Sequence, residues 1–382
     1  MKKLSATTHP RPWKRVEQLE VSYRDDGEPK RVGLLFTDTR DSAHFEYAAE
    51  WISTGIELSP IQLPLALGVS AAPDAKRLHG LHGVFADSLP DYWGTRIIDS
   101  AFNRFGISRD AIGSLDRLSY LGDSTMGALT YEPSPELASD WTADLDALAA
   151  EADAFAAGAP QATSALDDLQ RAAGSAGGAQ PKVLGGISED GTFYPGVAPP
   201  AECPPVLIKF TPAANVPGIR ADSGVLELAY SRMAAEAGVI VPDASLVKTS
   251  DERAHFTVNR FDRFADGRRR HVHTLGAMFG RESSEVTDYD ELFRVARTLT
   301  RDAQMVTAAF HLLCFNVAAV NDDDHSHNVA FMIEPVGDDR EWVLAPAYDL
   351  TYSPNRASIR GMSVAGIETT PAWSDIEALA SR

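Results

Sequence analysis

The chain has 382 residues, 44% apolar and 8% aromatic, a composition that suits two domains or one bilobal domain with an extension and excludes a disordered protein. Its formal net charge of -19 repels nucleic-acid phosphates, so direct DNA or RNA binding would need a local basic patch. The short "DGRRRH" at 266–271 reads instead as a solvated hairpin tip.

The N-terminal "MKKLSATTHPRPWKR" is basic but lacks the apolar run of a secretory signal. No stretch reaches the roughly 18 apolar residues of a membrane span. Cys203 and Cys314 lie far apart without metal-ligand spacing, which predicts buried, reduced thiols in a cytoplasmic protein.

Residues 15–131 carry the pattern of an α+β unit. "KRVGLLFTD" and "AHFEYAAEWI" alternate like strands, "GVFADSLPDYWGTRIIDSAFNRFG" has helical apolar spacing ending at Gly106, and "LDRLSYLGDSTMGALTYEP" reads as helix, turn and strand. From 133 to 173 the composition turns to Ala, Asp, Ser and Pro, predicting one or two acidic helices at a domain junction. A Gly-rich turn then precedes strands "KVLGGI", "GTFYPG" and "PVLIKF", a helix near 223–238, and strands "SLVKTS" and "AHFTVNRFDRF". After 286 the spacing is helical, with Thr287 and Asp290 at capping-box separation. The apolar helix "DAQMVTAAFHLLCFNVAAV" runs into "NDDDHSHN" at 321–328, followed by strands "NVAFMIE" and "EWVLAP" and then "AYDLTYSP".

The octet is unusual, because three adjacent aspartates repel one another unless a cation is near. A calcium loop fails for want of a glycine bend and a downstream bidentate Glu, and zinc lacks a third ligand nearby. The order of parts points elsewhere. A Gly-rich turn lets backbone N–H groups meet phosphate oxygens. Lys209, inside an apolar strand, needs anionic partners, which nucleotide phosphates and Glu227 would supply. Asn328 and Asp349 offer the hard oxygens that suit Mg²⁺. Asp323, alone at the five-residue offset to Asn328, can accept the proton of a substrate hydroxyl. This is the part list of a kinase-like phosphoryl transferase, in chain order. The ATP-side parts do not encode the acceptor, so a small-molecule kinase and a nucleotide-binding pseudokinase acting through partners stay open.

"SAGGAQPK" at 175–182, "VLIKF" at 206–210, "VPDA" at 241–244, "NRFDR" at 259–263, "NDDDHSHN" and "PAYDL", with "SYLGDSTMGALTY" at 119–131 upstream, resemble the HipA-type toxin serine/threonine kinases over about residues 30–365. The resemblance implies an α+β, bilobal protein-kinase-like fold with a β-rich N-lobe (174–264), a helical C-lobe (265–382), an N-terminal α+β subdomain (1–133) and an Ala-rich junction (134–173). It implies ATP and Mg²⁺ as cofactors, a protein substrate such as an aminoacyl-tRNA synthetase, and a cognate helix-turn-helix antitoxin that makes any DNA contact indirect. Carried onto this sequence, Asp323 is the catalytic acid, and Asn328 and Asp349 hold the metal. Gly177, Gly178, Ala179, Gln180 and Lys182 line the phosphate loop. Lys209 with Glu227, Asn259 and Phe261 at the hinge, and His325 and Tyr348 complete the nucleotide site. Ser175 matches the family's autophosphorylated, self-limiting serine. The last Asp lies in "YDL", without the glycine hinge of eukaryotic kinases. The stretch from Met362 supplies at most one helix where the family usually has several, which implies a shortened C-lobe.

Overall fold

The structure of the protein is a computed structural model that describes residues 14–38, 42–135, 141–159, 164–174, 177–196, 199–216, 219–336, 339–354 and 359–381. The N-terminal unit is built on five antiparallel strands: β1 (Gln18–Tyr23), β2 (Lys30–Thr37), β3 (Ala43–Tyr47), β4 (Val69–Ala71) and β5 (Leu129–Glu132). They are ordered β4-β3-β2-β1-β5. Period-two alternation turns Leu19, Val21 and Tyr23 of β1 into the core, while Gln18 and Glu20 face solvent. The segment "AHFEYAAEWI" divides at Ala48: β3 ends at Tyr47, and Ala49–Ile52 forms one helical turn that buries Trp51. The helix Tyr92–Asn103 buries Trp93, Ile97, Ile98, Ala101 and Phe102 along one stripe, the spacing of an amphipathic helix. Gly106 follows in the left-handed region.

The second sheet holds β6 (Lys182–Ile187), β7 (Phe193–Pro195), β8 (Pro205–Lys209), β9 (Ala244–Lys248) and β10 (Ala254–Asn259), ordered β7-β6-β8-β10-β9. In the β6–β8 register Lys182 faces Lys209 and Val183 faces Ile208. Alternation therefore puts the two lysines on one side of the sheet and the apolar pair on the other. The apolar side is covered by two helices, Leu145–Ala156 and Ser164–Ala172, through Leu148, Phe155 and Leu169, with Trp93 of the N-terminal unit in the same core. The acidic stretch between the domains thus forms one face of this lobe. The lysine side meets the helix Ser223–Glu236.

The C-terminal unit contains β11 (His271–Thr274), β12 (Thr287–Asp288), β13 (Ala330–Val336), β14 (Asp339–Leu344) and β15 (Met362–Ser363), with β11-β13-β14 antiparallel and β12 parallel to β15. Helices Tyr289–Val295, Ala303–Ala318 and Trp373–Ala380 complete its core. The helix start expected from Thr287 and Asp290 lies one residue later. Asp288 is the cap and Glu291 its reciprocal partner, while the Thr287 hydroxyl accepts from Arg281 at 3.2 Å.

"DGRRRH" also differs from a solvated tip. Of its three arginines only Arg268 is exposed; Arg269 is 6% exposed and donates to Asp123 O, and Arg270 lies 2.5 Å from Glu334 over the Phe264 ring. Those guanidiniums dock the hairpin against its neighbours. Cys203 is buried and Cys314 half-buried, both free. Among the described residues no helix is long and apolar enough to cross a membrane.

Candidate active site

A cleft of about 760 Å³ opens on the lysine side of the second sheet. Its floor comes from the C-terminal unit and its outer wall from Leu78–Arg109 of the N-terminal unit. Lys209 ends β8 inside it. Its ammonium donates to Glu227 Oε1 of the facing helix at 2.5 Å and also to Asp349 Oδ1. Burial works against the Lys209 charge, but Asp349 and Glu227 outweigh it and hold the lysine pKa above its ordinary value. Burial pushes the Glu227 carboxyl up, whereas Lys209 holds Asp349 well below the usual carboxylate range. Three segments distant in sequence are thereby joined at one nitrogen.

Lys182, across the ladder, is 3% exposed, and among the described residues no carboxylate bonds it; its ammonium donates to Gly177 O. Burial first, and then the neighbouring Lys209, lowers its pKa to about 8. A buried cation bonded to a backbone carbonyl is poised to accept an anion.

The three aspartates of the octet are separated by their surroundings. Asp324 is buried and accepts from Arg360 at 2.6 Å and Tyr289 Oη at 2.7 Å, and Asp322 takes the other arm of Arg360 at 2.6 Å. Asp323 is exposed and faces the cleft. Its carboxyl is raised by partial burial, opposed by His325 and supported by Asp349. The repulsion evident in the sequence is relieved by one arginine from beyond Asp349, which the sequence reading passed over because no local pattern ties the two.

Asn328 donates its amide N–H to Asp323 O at 3.0 Å, leaving the amide oxygen as the end suited to a hard cation. Several non-glycine residues sit in the left-handed region around this site: Val320 just before the octet (φ 56°), Asp349 itself (φ 59°), and Leu78 and His79 on the N-terminal wall (φ 46° and 59°). Such conformations cost of order 1 kcal/mol or more and persist only where the surroundings impose them. For Val320 those are the Ser353 N–H bond to its carbonyl at 3.1 Å and the Asn321 N–H bond to Asn316 O at 3.0 Å.

Asn259 and Phe261 line the cleft where β10 leaves the sheet, and Phe261 stacks on Tyr348 with ring centres 5.9 Å apart. Tyr348 donates to His327 O at 2.8 Å, tying the segment before Asp349 to the octet. His325 also lines the cleft. Gln180 does not. Its amide donates to Phe210 O at 3.0 Å and Ser223 Oγ at 3.2 Å, so it braces the Gly-rich turn from behind. Ser175 lies outside the described residues.

The N-terminal wall adds groups absent from the sequence reading. Asp91 accepts the Gly178 N–H at 2.8 Å, and the Trp93 N–H donates to Gly178 O at 3.3 Å, so the Gly-rich turn is held by the N-terminal unit. A Cβ at Gly177 would come 2.7 Å from the Asp91 carboxylate, so a larger residue there would displace that side chain. Asp87 accepts from Thr274 N and Oγ1, both at 2.8 Å, and lies 2.6 Å from His273 Nδ1, fastening this wall to the C-terminal unit.

The HipA N-terminal domain matches residues 20–132, and the HipA-like C-terminal domain matches residues 174–381. No curated protein matches this chain. Among solved structures, HipA of Shewanella oneidensis MR-1, from its toxin–antitoxin complex with HipB and operator DNA, aligns with a TM-score of 0.65 at 17% identity, covering 95% of this chain and 84% of that chain. That likeness is one of fold: α+β, bilobal and kinase-like, with an N-terminal subdomain. The Helicobacter pylori proinflammatory kinase CtkA aligns over 38% of this chain and 49% of its own at 12% identity, with a TM-score of 0.30. With both halves matched in order, and the C-terminal match alone spanning more than half its length, the chain belongs to the HipA family of toxin–antitoxin proteins.

Proposed function

We propose that this protein is an ATP- and Mg²⁺-dependent serine/threonine protein kinase, the toxin of a module whose antitoxin is a small helix-turn-helix protein. The observation that carries this reading is the junction at Lys209. One ammonium holds the helix carboxylate Glu227 and the segment carboxylate Asp349 together, beside Asp323 and Asn328. Kinases need that lysine–glutamate pair and a metal-binding aspartate in place at the same time.

The residues fit the cofactor. Two buried or half-buried lysines face a cleft otherwise rich in carboxylates, an arrangement that calls for a polyanion with its own cations. Asn328 and Asp349 offer only two hard-oxygen groups, and no cage of three or more His, Cys, Asp or Glu occurs among the described residues. That suits Mg²⁺, which takes its other ligands from phosphates and water. Bound MgATP supplies an electrophilic γ-phosphoryl group with its charge partly neutralised.

The chain's own groups do the rest. Lys209 and Lys182 receive the phosphates, and the N–H groups of Gly177 to Ala179 cradle them. The ring of Phe261, stacked on Tyr348, floors the base side. Asp323 aligns the acceptor hydroxyl and takes its proton, a task helped by a carboxyl pKa raised by burial. A translation component such as an aminoacyl-tRNA synthetase is the proposed target, and Ser175 the proposed self-limiting phosphosite. By analogy with the HipB-bound relative, DNA is reached through the antitoxin, in keeping with a chain of net charge -19.

The test is transfer from γ-labelled ATP to protein hydroxyls. The wild type should transfer label only with Mg²⁺. Asp349→Ala should lose at least about 10³-fold in rate while keeping most nucleotide affinity. Wild-type rates in Asp349→Ala would refute the assignment.

A further inference from the structure

We infer that Arg360 is a positioning residue for phosphoryl transfer: its guanidinium straps the aspartates on either side of Asp323 and so fixes the loop that presents the acceptor base. The inference rests on the kinase reading above and adds a residue from outside the kinase part list.

Arg360 is 5% exposed and follows Asp349 by eleven positions. One arm donates to Asp322 Oδ1 at 2.6 Å; the other donates to Asp324 Oδ2 at 2.6 Å and to Asn321 O at 3.1 Å. Its backbone N–H is bonded to Glu368 O at 2.7 Å, which anchors the arginine from its own side. Asp324 is held in turn by Tyr289 Oη, which accepts from Asn316, and Asn316 Oδ1 accepts from Asn321. The network therefore closes on the loop it supports.

The neighbouring backbone leaves no slack. Gly361 donates to Asp322 O at 2.9 Å, and a Cβ there would come 2.4 Å from His325 N. On the other side Asp322 N donates to Ser353 O at 3.0 Å. The loop is thus clamped between two parts of the segment after Asp349, and of its three aspartates Asp323 is the one that lines the cleft. Planar, two-armed bonding is something arginine provides and lysine does not. Fixing a base to within a fraction of an ångström matters because a displacement of about 1 Å can cost roughly 10²-fold in rate.

The experiment uses the full chain as wild type, Arg360→Gln, Arg360→Lys and the double variant Arg360→Gln/Asp324→Asn. Three quantities are measured: MgATP affinity by calorimetry, autophosphorylation rate at saturating MgATP, and melting temperature. Arg360→Gln should slow transfer about 10²-fold with MgATP affinity changed by less than about threefold. Arg360→Lys should recover about tenfold of that loss, since an ammonium reaches one carboxylate and not both. The double variant, with one buried charge fewer, should regain melting temperature but not rate. A near-wild-type rate in folded Arg360→Gln, or a double variant that regains rate along with stability, would overturn the positioning role. A wild type that transfers no phosphate would overturn the kinase reading itself, before any variant is compared.

Discussion

The two loops that meet in the cleft are held in different ways. The catalytic-type loop, residues 321–328, is fixed from beneath by buried charge: Arg360 between Asp322 and Asp324, with Tyr289, Asn316 and Asn321 behind. The Gly-rich turn, residues 177–182, is held at its tip by the exposed carboxylate of Asp91, the Trp93 N–H and one lysine on a backbone carbonyl. Only its base is braced from behind, by Gln180 and the Phe210 N–H. Buried, paired charges are costly to break, whereas an exposed carboxylate on one N–H contributes little. The comparison teaches a division of labour. On the proposed function, the side carrying Asp323 is organised before substrate arrives, and the tip of the Gly-rich turn is compliant and carries ligands that phosphates would displace.

The largest effect should come from breaking the rigid side. Asp324→Ala leaves Arg360 buried with a single carboxylate, and about 3–5 kcal/mol of stability should be lost in chemical unfolding. Asp322→Ala should cost less, about 1–2 kcal/mol, because the Asp322 side chain is 18% exposed and water can reach the vacated position. Its bond to Arg360 makes Asp322 a structural residue. Equal unfolding midpoints for wild type and Asp324→Ala would break the comparison.

The compliant side should respond to pH. With its pKa lowered to about 8, Lys182 is cationic at neutral pH and loses its charge above it, so MgATP affinity should weaken as pH rises through 8. The sign for folding is opposite. The folded pKa lies below that of the unfolded chain, so the unfolded state holds more protons between about 8 and the ordinary lysine range, and this group adds stability as pH rises there. Lys182→Met should bind MgATP about tenfold more weakly at pH 7 and remove this pH dependence, as titration calorimetry would report. The smallest effect is expected at Asp91. Asp91→Asn keeps an oxygen for the Gly178 N–H and removes a negative charge beside the phosphates. MgATP affinity should tighten about fivefold at low salt, and less at high salt.

Much of the fold and of the site's inner shell is legible in the chain because each part sits on a strong local pattern. Lys209 interrupts an apolar strand, Glu227 follows on a helix, and the octet ends an apolar helix. Asp91, Asp87 and Arg360 were not legible, because their partners lie 87, 187 and 38 positions away and no period links them. Gln180 was assigned to the phosphates because it lies within the Gly-rich motif; geometry turns it to Phe210 and Ser223 instead. The misplaced helix cap has a similar origin. Two overlapping capping pairs occur at 287–291, and in the fold Asp288 accepts the Asp290 N–H while the Thr287 hydroxyl accepts from Arg281.

Backbone hydrogen exchange with and without MgATP tests the contrast between the loops most directly. The Asn321, Asp322 and Asn328 amides, bonded to Asn316 O, Ser353 O and His325 O, should exchange slowly in the free protein and change little on adding nucleotide. The amides of 177–179 should exchange faster than these when free, Gly178 included because its single bond is to the exposed Asp91 carboxylate, and become protected on binding. Slow exchange in the Gly-rich turn of the free protein, or protection of 321–328 that appears only with MgATP, would contradict the account.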